Sequence, residues 1–159
     1  MLVGYADVKS SLVYFYAQKD TPHNATGRIP FEYMRLNFGG AMDASSGTFT
    51  APRDGIYSFA FSGVGHYPNA TLNIRDQGIL RVVLVLNSGL VGFGLTQTQD
   101  DSSFFTISLH STLELKTGDR VWISITKLAE ETYLYDDVNH FTHFTGHLLQ
   151  EKVASSLSL

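Results

Sequence analysis

The feature that most constrains this chain is a run of alternating aromatic residues near its middle. Tyr57, Phe59 and Phe61 are separated by the small residues Ser58 and Ala60. A period of two is that of a β-strand, in which successive side chains point to opposite faces. The pattern therefore predicts a strand that places three aromatic rings in one packed layer.

Turn-forming residues divide the neighbouring sequence into short strands. The segment Ala51–Gly55 combines a proline, which fixes φ, with Gly55, which tolerates a positive φ that a residue with a Cβ resists. Two further turns are predicted at Ser45–Gly47 and at Asn37–Gly40. Because turns recur at such short intervals, we expect short antiparallel strands and an all-β domain.

Apolar runs elsewhere predict the remaining strands. Leu80–Leu86 is nearly continuous in apolar residues, which is typical of a strand buried on both faces or lying at a subunit contact. By contrast, Ala129–Asn139 is acidic and carries tyrosines, and we interpret it as a loop. No segment has the pattern of a long amphipathic helix. The other predicted strands are Leu12–Ala17, Phe104–Leu115, Val121–Ile125 and Phe141–Leu149.

The spacing of residues between Phe31 and Phe61 resembles the signature of the C1q globular domain, part of the C1q/tumour-necrosis-factor superfamily. That signature sets aromatic, polar and glycine positions at fixed intervals and ends in G-x-Y-x-F-x-[FY]. Met42 stands where the family has an aromatic residue or leucine, and a methionine fills such an apolar gap by repacking. The matching positions are Phe31, Asn37, Met42, Phe49, Gly55, Tyr57, Phe59 and Phe61.

The resemblance continues beyond the signature. Gly118–Trp122 looks like the family's turn into its penultimate strand, and Phe144–Leu149 looks like its last strand. His147 stands where the family often has an aromatic residue. The match covers residues 11–150, so residues 1–10 are expected to be a lead-in and residues 151–159 a flexible tail.

The resemblance implies a fold and an assembly: an all-β, ten-stranded jelly-roll β-sandwich that forms a homotrimer. It also implies a non-catalytic, secreted recognition module that binds carbohydrate or protein surfaces, as in innate immunity. Three copies then present their loops around one axis, which adds avidity to weak contacts. Residues expected to form the core or the trimer interface are Phe31, Asn37, Phe49, Gly55, Tyr57, Phe59, Phe61, Trp122, Phe144 and Gly146.

Two alternative functions stay open. One is a cytokine-like or adhesion ligand of the same superfamily, which would bind a cell-surface receptor in the clefts between subunits. The other is a carbohydrate-active enzyme on a sandwich fold, which would need an acid-lined groove. The chain has no G-x-S-x-G nucleophile motif, and its adjacent carboxylates are typical of solvated loops. We therefore expect no catalysis.

Charge and composition exclude several partners. The net charge is -4 and there is no basic run, so the sequence gives no reason to expect a nucleic acid. No apolar run approaches the roughly 18 residues of a membrane span, so we expect no membrane insertion. The chain has no cysteine, which excludes disulfides and thiol catalysis. Two sequons, beginning at Asn24 and Asn69, predict glycosylation at exposed sites and point weakly to the cell exterior.

Histidine is a common metal ligand, but the spacing of the histidines in this chain does not favour a metal site. On a strand, His143 and His147 would share a face but stand about 13 Å apart. That is too far for one ion with bonds of about 2.0 Å. His140 would point to the opposite face. We therefore expect surface or interface histidines, and the identity of any metal stays unknown.

A calcium site is harder to exclude, because some members of the family hold calcium near the trimer apex with loop carboxylates. That chemistry suits a hard cation. No cofactor is required by the resemblance, and a calcium site and a solvated loop both stay open here. The loop residues that are candidates for binding a ligand, by virtue of tyrosine rings and paired carboxylates, are Tyr67, Asp100, Asp101, Tyr133, Tyr135, Asp136 and Asp137.

Overall fold

The aromatic alternation lies on a twelve-residue strand, β6, which spans Gly55–His66. In the computed structural model, residues 11–68, 78–97, 104–129 and 131–153 are described; Asn69, Asp100 and Asp101, the lead-in 1–10 and most of the tail lie outside them. The described residues form twelve strands and no helix. The all-β prediction is therefore confirmed.

The strands form two six-stranded sheets packed face to face. In the first sheet, β6 pairs with β9 along one side and with β12 and β11 along the other, and β1 and β3 follow β12. In the second sheet the order is β4-β5-β10-β7-β8, and β2 pairs with β10. The other bounds are β1 Tyr14–Gln18, β2 Gly27–Arg28, β3 Tyr33–Phe38, β4 Met42–Asp43, β5 Thr48–Thr50, β7 Ile79–Leu86, β8 Gly89–Gln97, β9 Phe104–Leu115, β10 Arg120–Leu128, β11 Tyr133–Tyr135 and β12 His143–Glu151.

The rings of β6 point into the space between the sheets, not toward a subunit axis. Tyr57 and Phe59 are fully buried within the single chain, and Phe61 is 2% exposed. Phe49 of the second sheet packs edge-on against Phe59, with ring centroids 5.3 Å apart. The layer continues through Phe15, whose ring lies 5.0 Å from that of Phe144. Edge-to-face pairs of this kind stabilise a core beyond the area that they bury.

Two positions of the first sheet require glycine, one of them beside this aromatic layer. A Cβ at Gly146 would lie 2.4 Å from the ring of Phe15 and 2.7 Å from that of Phe59. Gly55 has no positive φ, contrary to the expectation for its turn. Instead, a Cβ there would lie 2.5 Å from the carbonyl oxygen of Gln150. Both positions need glycine because of close packing.

Other residues of the sequence motif close turns or fill the core. The side-chain amide of Asn37 donates to the carbonyl of Met42 at 2.9 Å, and its oxygen accepts from the Met42 amide. This pair closes the turn that contains Gly39 and Gly40, both at positive φ. Met42 is buried, as the repacking interpretation requires, and Phe31 is also buried.

Two details of the predicted strands need correction, and one alternative is decided. The described strands number twelve instead of ten, although β2 and β4 contain only two residues each. The interpretation of 129–139 as a loop is wrong in part, because β11 pairs with β6 inside it. The apolar strand β7 lies between β10 and β8 and is almost wholly buried within one chain. Of the two alternatives for this run, burial on both faces is therefore confirmed.

The aromatic layer predicts a large effect of one substitution. Phe59→Ala should lower the free energy of unfolding by about 3–5 kcal/mol, because it leaves a cavity in a layer that cannot collapse. That is a large part of the roughly 5–15 kcal/mol that holds a domain folded. Chemical denaturation followed by circular dichroism measures the change. Leu149→Ala, at a side chain 53% exposed, is the control; equal losses from both would contradict the packing argument.

Candidate functional site

Histidine, tyrosine and serine side chains of the described residues lie together on the outward face of the first sheet. Directly paired residues of antiparallel strands share a face, so the register identifies this set. We call it the outer face. Its members include a row of small residues on β6 and side chains from four neighbouring strands, namely Tyr14, Tyr16, Ser58, Ala60, Ser62, Val64, His66, Phe104, Ser108, His110, Tyr133, Tyr135, His143 and His147.

The end of the outer face where β6 finishes, here the apex, is aromatic. His66 stacks on Phe104 at a centroid distance of 4.2 Å, and its Nδ1 hydrogen-bonds the hydroxyl of Tyr133 at 2.7 Å. The rings of Phe104 and Tyr135 meet edge-on at 5.2 Å, and Phe141 packs beside Tyr135. The rings of Phe104, Tyr135 and Phe141 line a cavity of about 650 Å³ whose walls are mostly apolar.

A tyrosine–carboxylate pair marks the rim of this apex. The hydroxyl of Tyr135 donates to Asp137 at 2.7 Å, and this contact raises the pKa of the tyrosine. The pKa of Asp137 is lowered, first by the backbone N–H of Asn139 and then by the Tyr135 hydroxyl. Asp137 is therefore held as a carboxylate among exposed loop residues, where a polar ligand can reach it.

Below the apex, small side chains form a shallow trough between His110 on β9 and the two histidines of β12. A cavity of about 470 Å³ lies over Ala60, Ser62 and Ser108, with His110 on one side and His143 on the other. Small residues along a strand let another protein surface approach the sheet closely. The trough is thus suited to contact with a protein surface.

The histidines of the outer face have neutral partners. Nδ1 of His143 hydrogen-bonds the Tyr16 hydroxyl at 2.6 Å, and Nε2 of His110 hydrogen-bonds Ser58 at 2.8 Å. His147 lies against the ring of Tyr14, with centroids 5.6 Å apart. Burial lowers the pKa of His66, and it is also the main cause of the lowered pKa of His143.

Several predicted ligand residues lie elsewhere. Tyr67 is only 5% exposed and Asp136 only 1%, so the expectation that these side chains are exposed is wrong. Tyr133 and Tyr135 are half-buried on the outer face. The structure brings Tyr135 and Asp137 together at the apex.

Asp136 stabilises the apex loop instead of facing a ligand. Its Oδ1 accepts from the backbone N–H groups of Asp137 and Phe141, both at 2.9 Å, and its Oδ2 accepts from that of Thr142 at 2.8 Å. A buried carboxylate must be compensated in this way, because an unpaired one is costly to remove from water. Asp136, which was predicted to bind a ligand, therefore stabilises the backbone of its own loop.

The predicted histidine pair shares a face, as expected, and forms no metal cluster. Among the described residues no three histidine, aspartate or glutamate side chains are placed to hold one metal ion. His140 lies in the turn before β12 at a φ of 57°, and its Nδ1 donates to the carbonyl of Lys19 at 2.6 Å.

A second exposed apolar patch lies on β8, the edge strand of the second sheet. Leu90, Val91, Phe93 and Leu95 are between 40% and 61% exposed. The inward positions of β8 include Gly92 and Gly94, which lets this strand lie close to β9. The β8 patch therefore borders the edge of the outer face.

The remaining predicted residues are structural or exposed. Trp122 lies half-buried on β10 under the guanidinium of Arg28, which is 4.0 Å from the ring centroid. Asn24 is exposed, as its sequon requires, beside a polar cleft of about 590 Å³ that Thr132 and Tyr133 also line.

Sequence reasoning missed His66, Phe104, His110 and Phe141 as site residues. The sequence does indicate part of this set, because period-two alternation assigns every second residue of a strand to the face opposite the core. Once Phe59 is placed inside, Ser58 and Ala60 must lie outside, and His110 follows from the pairing of β9 with β6. That pairing is long-range and is not readable from local pattern.

Two packed sheets with this strand order define a jelly-roll β-sandwich, and solved structures share it. The globular domain of zebrafish complement 1qA protein superposes with a TM-score of 0.66 and 18% identity, over 88% of this chain and 99% of that one. Murine APRIL, crystallised at pH 5.0, gives a TM-score of 0.63 and 11% identity, over 88% and 100%. At such identities the likeness shows the fold alone.

The family follows from the sequence comparisons. The family model described as C1q domain matches residues 14–149, and the chain belongs to that family. Complement C1q tumor necrosis factor-related protein 3 of Mus musculus is 31% identical over 128 residues, which is 80% of this chain and 47% of the relative. Caprin-2 of Danio rerio is 28% identical over 123 residues, 77% of this chain and 12% of the relative.

The chain thus spans about half the length, or less, of these curated relatives. Family membership confirms the resemblance seen in the signature and identifies a C1q-type module, a class whose members are generally recognition or signalling modules and not enzymes. No helix in the described part of the chain is long and apolar enough to cross a membrane.

The role of Asp136 as an anchor generates a prediction. Asp136→Asn should lower the free energy of unfolding by about 1.5–3 kcal/mol, because an amide cannot accept the hydrogen bonds of both carboxylate oxygens. Thermal unfolding compared with that of Asp137→Asn, at the neighbouring, partly exposed carboxylate, measures the effect. A loss as small as that of the neighbour would show that the three backbone contacts do not hold the loop.

Proposed function

We propose that this chain is a non-catalytic extracellular recognition module that works as a homotrimer and binds carbohydrate through its apex loops. The main support for the proposal is that the chain exposes two adjoining but different surfaces, the outer face and the β8 patch. Membership in the C1q domain family supports it.

The two surfaces support a closed ring of subunits. A contact between two different patches of one chain is heterologous, and it closes into a ring when the rotation between subunits allows. Here the β8 patch of one copy would pack onto the outer face of the next. Four exposed apolar side chains on one edge strand are also a liability in a free monomer, since unpaired edges promote association.

The apex loops are the surface that such a ring leaves accessible. Asp137 lies at the rim beyond the aromatic cavity, and Asn139 accompanies it in the same turn. A carboxylate and an amide side by side are suited to the hydroxyl groups of a sugar. Three copies around one axis then convert weak contacts into useful avidity.

An extracellular location fits the exposed sequon at Asn24, whose side chain faces solvent. We propose that Asn24 and Asn69 carry glycans; Asn69 lies outside the described residues. Calcium is proposed only as an addition at the apex, where Asp137 supplies the oxygen chemistry that a hard cation prefers.

The alternative candidate is a cytokine-like or adhesion ligand for a cell-surface receptor. It is supported by the 31% identity of the chain to complement C1q tumor necrosis factor-related protein 3 of Mus musculus. Such a ligand would bind in the grooves between subunits, not at the apex, so the position of binding mutations separates the two functions.

Assembly is directly testable. Light scattering at micromolar concentration should give the mass of three chains at neutral pH. Leu95→Asp should give monomers, because it places a charge in an interface of the roughly 2,000 Å² that stable assemblies of this type bury. Val138→Asp, at an 81% exposed side chain in the apex loop that the proposed ring leaves accessible, should remain trimeric. A monomeric parent protein would contradict the proposal.

Carbohydrate recognition has its own test. A glycan array probed with the trimer should give binding that falls at least about tenfold in Asp137→Asn, the loss expected when a hydrogen bond to a charged group is removed. Asp54→Asn is the control, since Asp54 is an exposed carboxylate that accepts from Thr117 at the other end of β6.

The pattern of binding losses identifies the surface that binds the ligand. Equal losses in both variants would show that the apex does not bind the glycan, and binding to a receptor protein alone would favour the alternative. Binding that survives a chelator would remove calcium from the proposal.

A further inference from the structure

The outer face is unusual in its concentration of histidine. His66 on β6, His110 on β9 and His143 and His147 on β12 all lie on this one face of the sheet. Four of the six histidines in the chain are therefore collected on the surface through which, in the proposed function, copies of the chain meet.

Each histidine has a neutral environment on the strands around it. His66 contacts Tyr133, Phe104 and, at 6.1 Å between rings, Tyr135. His110 faces Ser58.

The two histidines of β12 are similarly placed. His143 faces Tyr16 and the amide of Gln18, and His147 faces Tyr14. Hydroxyl and amide groups can accept or donate, so they stabilise a neutral imidazole without supplying the negative charge that an imidazolium needs when it leaves water.

Charged groups lie at the margins of the face and are already engaged. At the base, Glu114 forms an ion pair with Lys152, and at the apex Asp137 is bonded to Tyr135. At the β3 edge, Arg35 donates to Gln18. The buried Asp136 and the cationic form of His140 act on His143 in opposite directions.

Glu114 is the one carboxylate among the outward positions of the described strands around the trough. It lies four residues from His110 on β9, about 13 Å along the strand. The centre of the face therefore has no anion of its own to balance a protonated histidine.

We propose that this face is an acid-sensitive interface, through which copies of the chain assemble at neutral pH and separate when its histidines become protonated. The inference rests on the proposed trimer and adds its regulation. A compartment or tissue of low pH would thereby release single subunits and abolish the avidity of the assembly.

The direction of the effect follows from which form burial favours. Burial within one chain already lowers the pKa of His66 and of His143, so the neutral forms are the ones stabilised in the folded protein. Further burial by a second copy acts in the same direction. The free subunit then binds more protons than the assembled one, so assembly is strongest above the ordinary histidine pKa of about 6.5 and weakens as the pH falls through it.

The expected size of the effect is set by the number of protons taken up. Each histidine that must lose its proton on assembly changes the association constant by up to about tenfold per pH unit below its free pKa. Because every subunit contributes the same four groups, a hundredfold weakening between pH 7.5 and pH 5.5 requires uptake of only about one or two protons in total.

Sedimentation velocity at constant ionic strength and protein concentration tests the inference. The wild-type chain should be trimeric at pH 7.5 and dissociate toward pH 5.0, while circular dichroism shows that the subunits stay folded. The quadruple variant His66→Gln, His110→Gln, His143→Gln, His147→Gln should remain assembled throughout, because glutamine keeps hydrogen-bonding capacity and does not titrate. His23→Gln, a histidine away from the outer face, should behave like wild type.

The outcomes separate the two proposals. A wild type that is trimeric at every pH would overturn the acid switch and leave the proposed trimer standing, whereas a monomer at pH 7.5 would overturn both. Acid dissociation that persists in the quadruple variant would assign the effect to other groups and overturn the inference. If the quadruple variant does not assemble at neutral pH, the four single variants decide: each should reduce the slope of the association constant against pH, and unchanged slopes would contradict the switch.

Discussion

The close contact of aromatic rings from the two sheets is the interaction on which the rest of this structure depends. Phe59 meets Phe49 of the second sheet and Phe15 of its own, with Gly146 beside them leaving no space for a Cβ. This contact fixes the separation of the sheets and the register of β12 against β6. Both must be fixed before the outer face has any defined arrangement.

A strand has only two faces, so the aromatic core determines what the other face can carry. With large rings inside, β6 presents Ser58, Ala60 and Ser62 outside, and the neighbouring strands supply histidine and tyrosine around this row. The core thus provides stability while the opposite face is left to contact other molecules. The same alternation that makes the sandwich also makes the trough.

Local sequence pattern predicted the strands and the fold, because alternation, turn residues and signature spacing are short-range features. It placed Phe59 and Phe144 in the core or the trimer interface, of which the structure shows the core, and it placed Asn24 on the surface. It failed for Tyr67 and Asp136, since burial of a loop residue depends on which backbone amides fold back onto it. It also failed to collect the histidines of the outer face, which come from strands that pair over long sequence separations.

The hydrogen bonds of Asp136 have a consequence for affinity at the apex. Because one buried carboxylate holds the amides of residues 137, 141 and 142, the turn that presents Asp137 is already ordered in the free chain. A partner that contacts this turn does not have to supply the conformational entropy of ordering it, a cost of about 1–2 kcal/mol per residue. This loop can therefore bind small ligands that make few contacts. A mobile loop would require a larger partner to offset the entropy cost of ordering it.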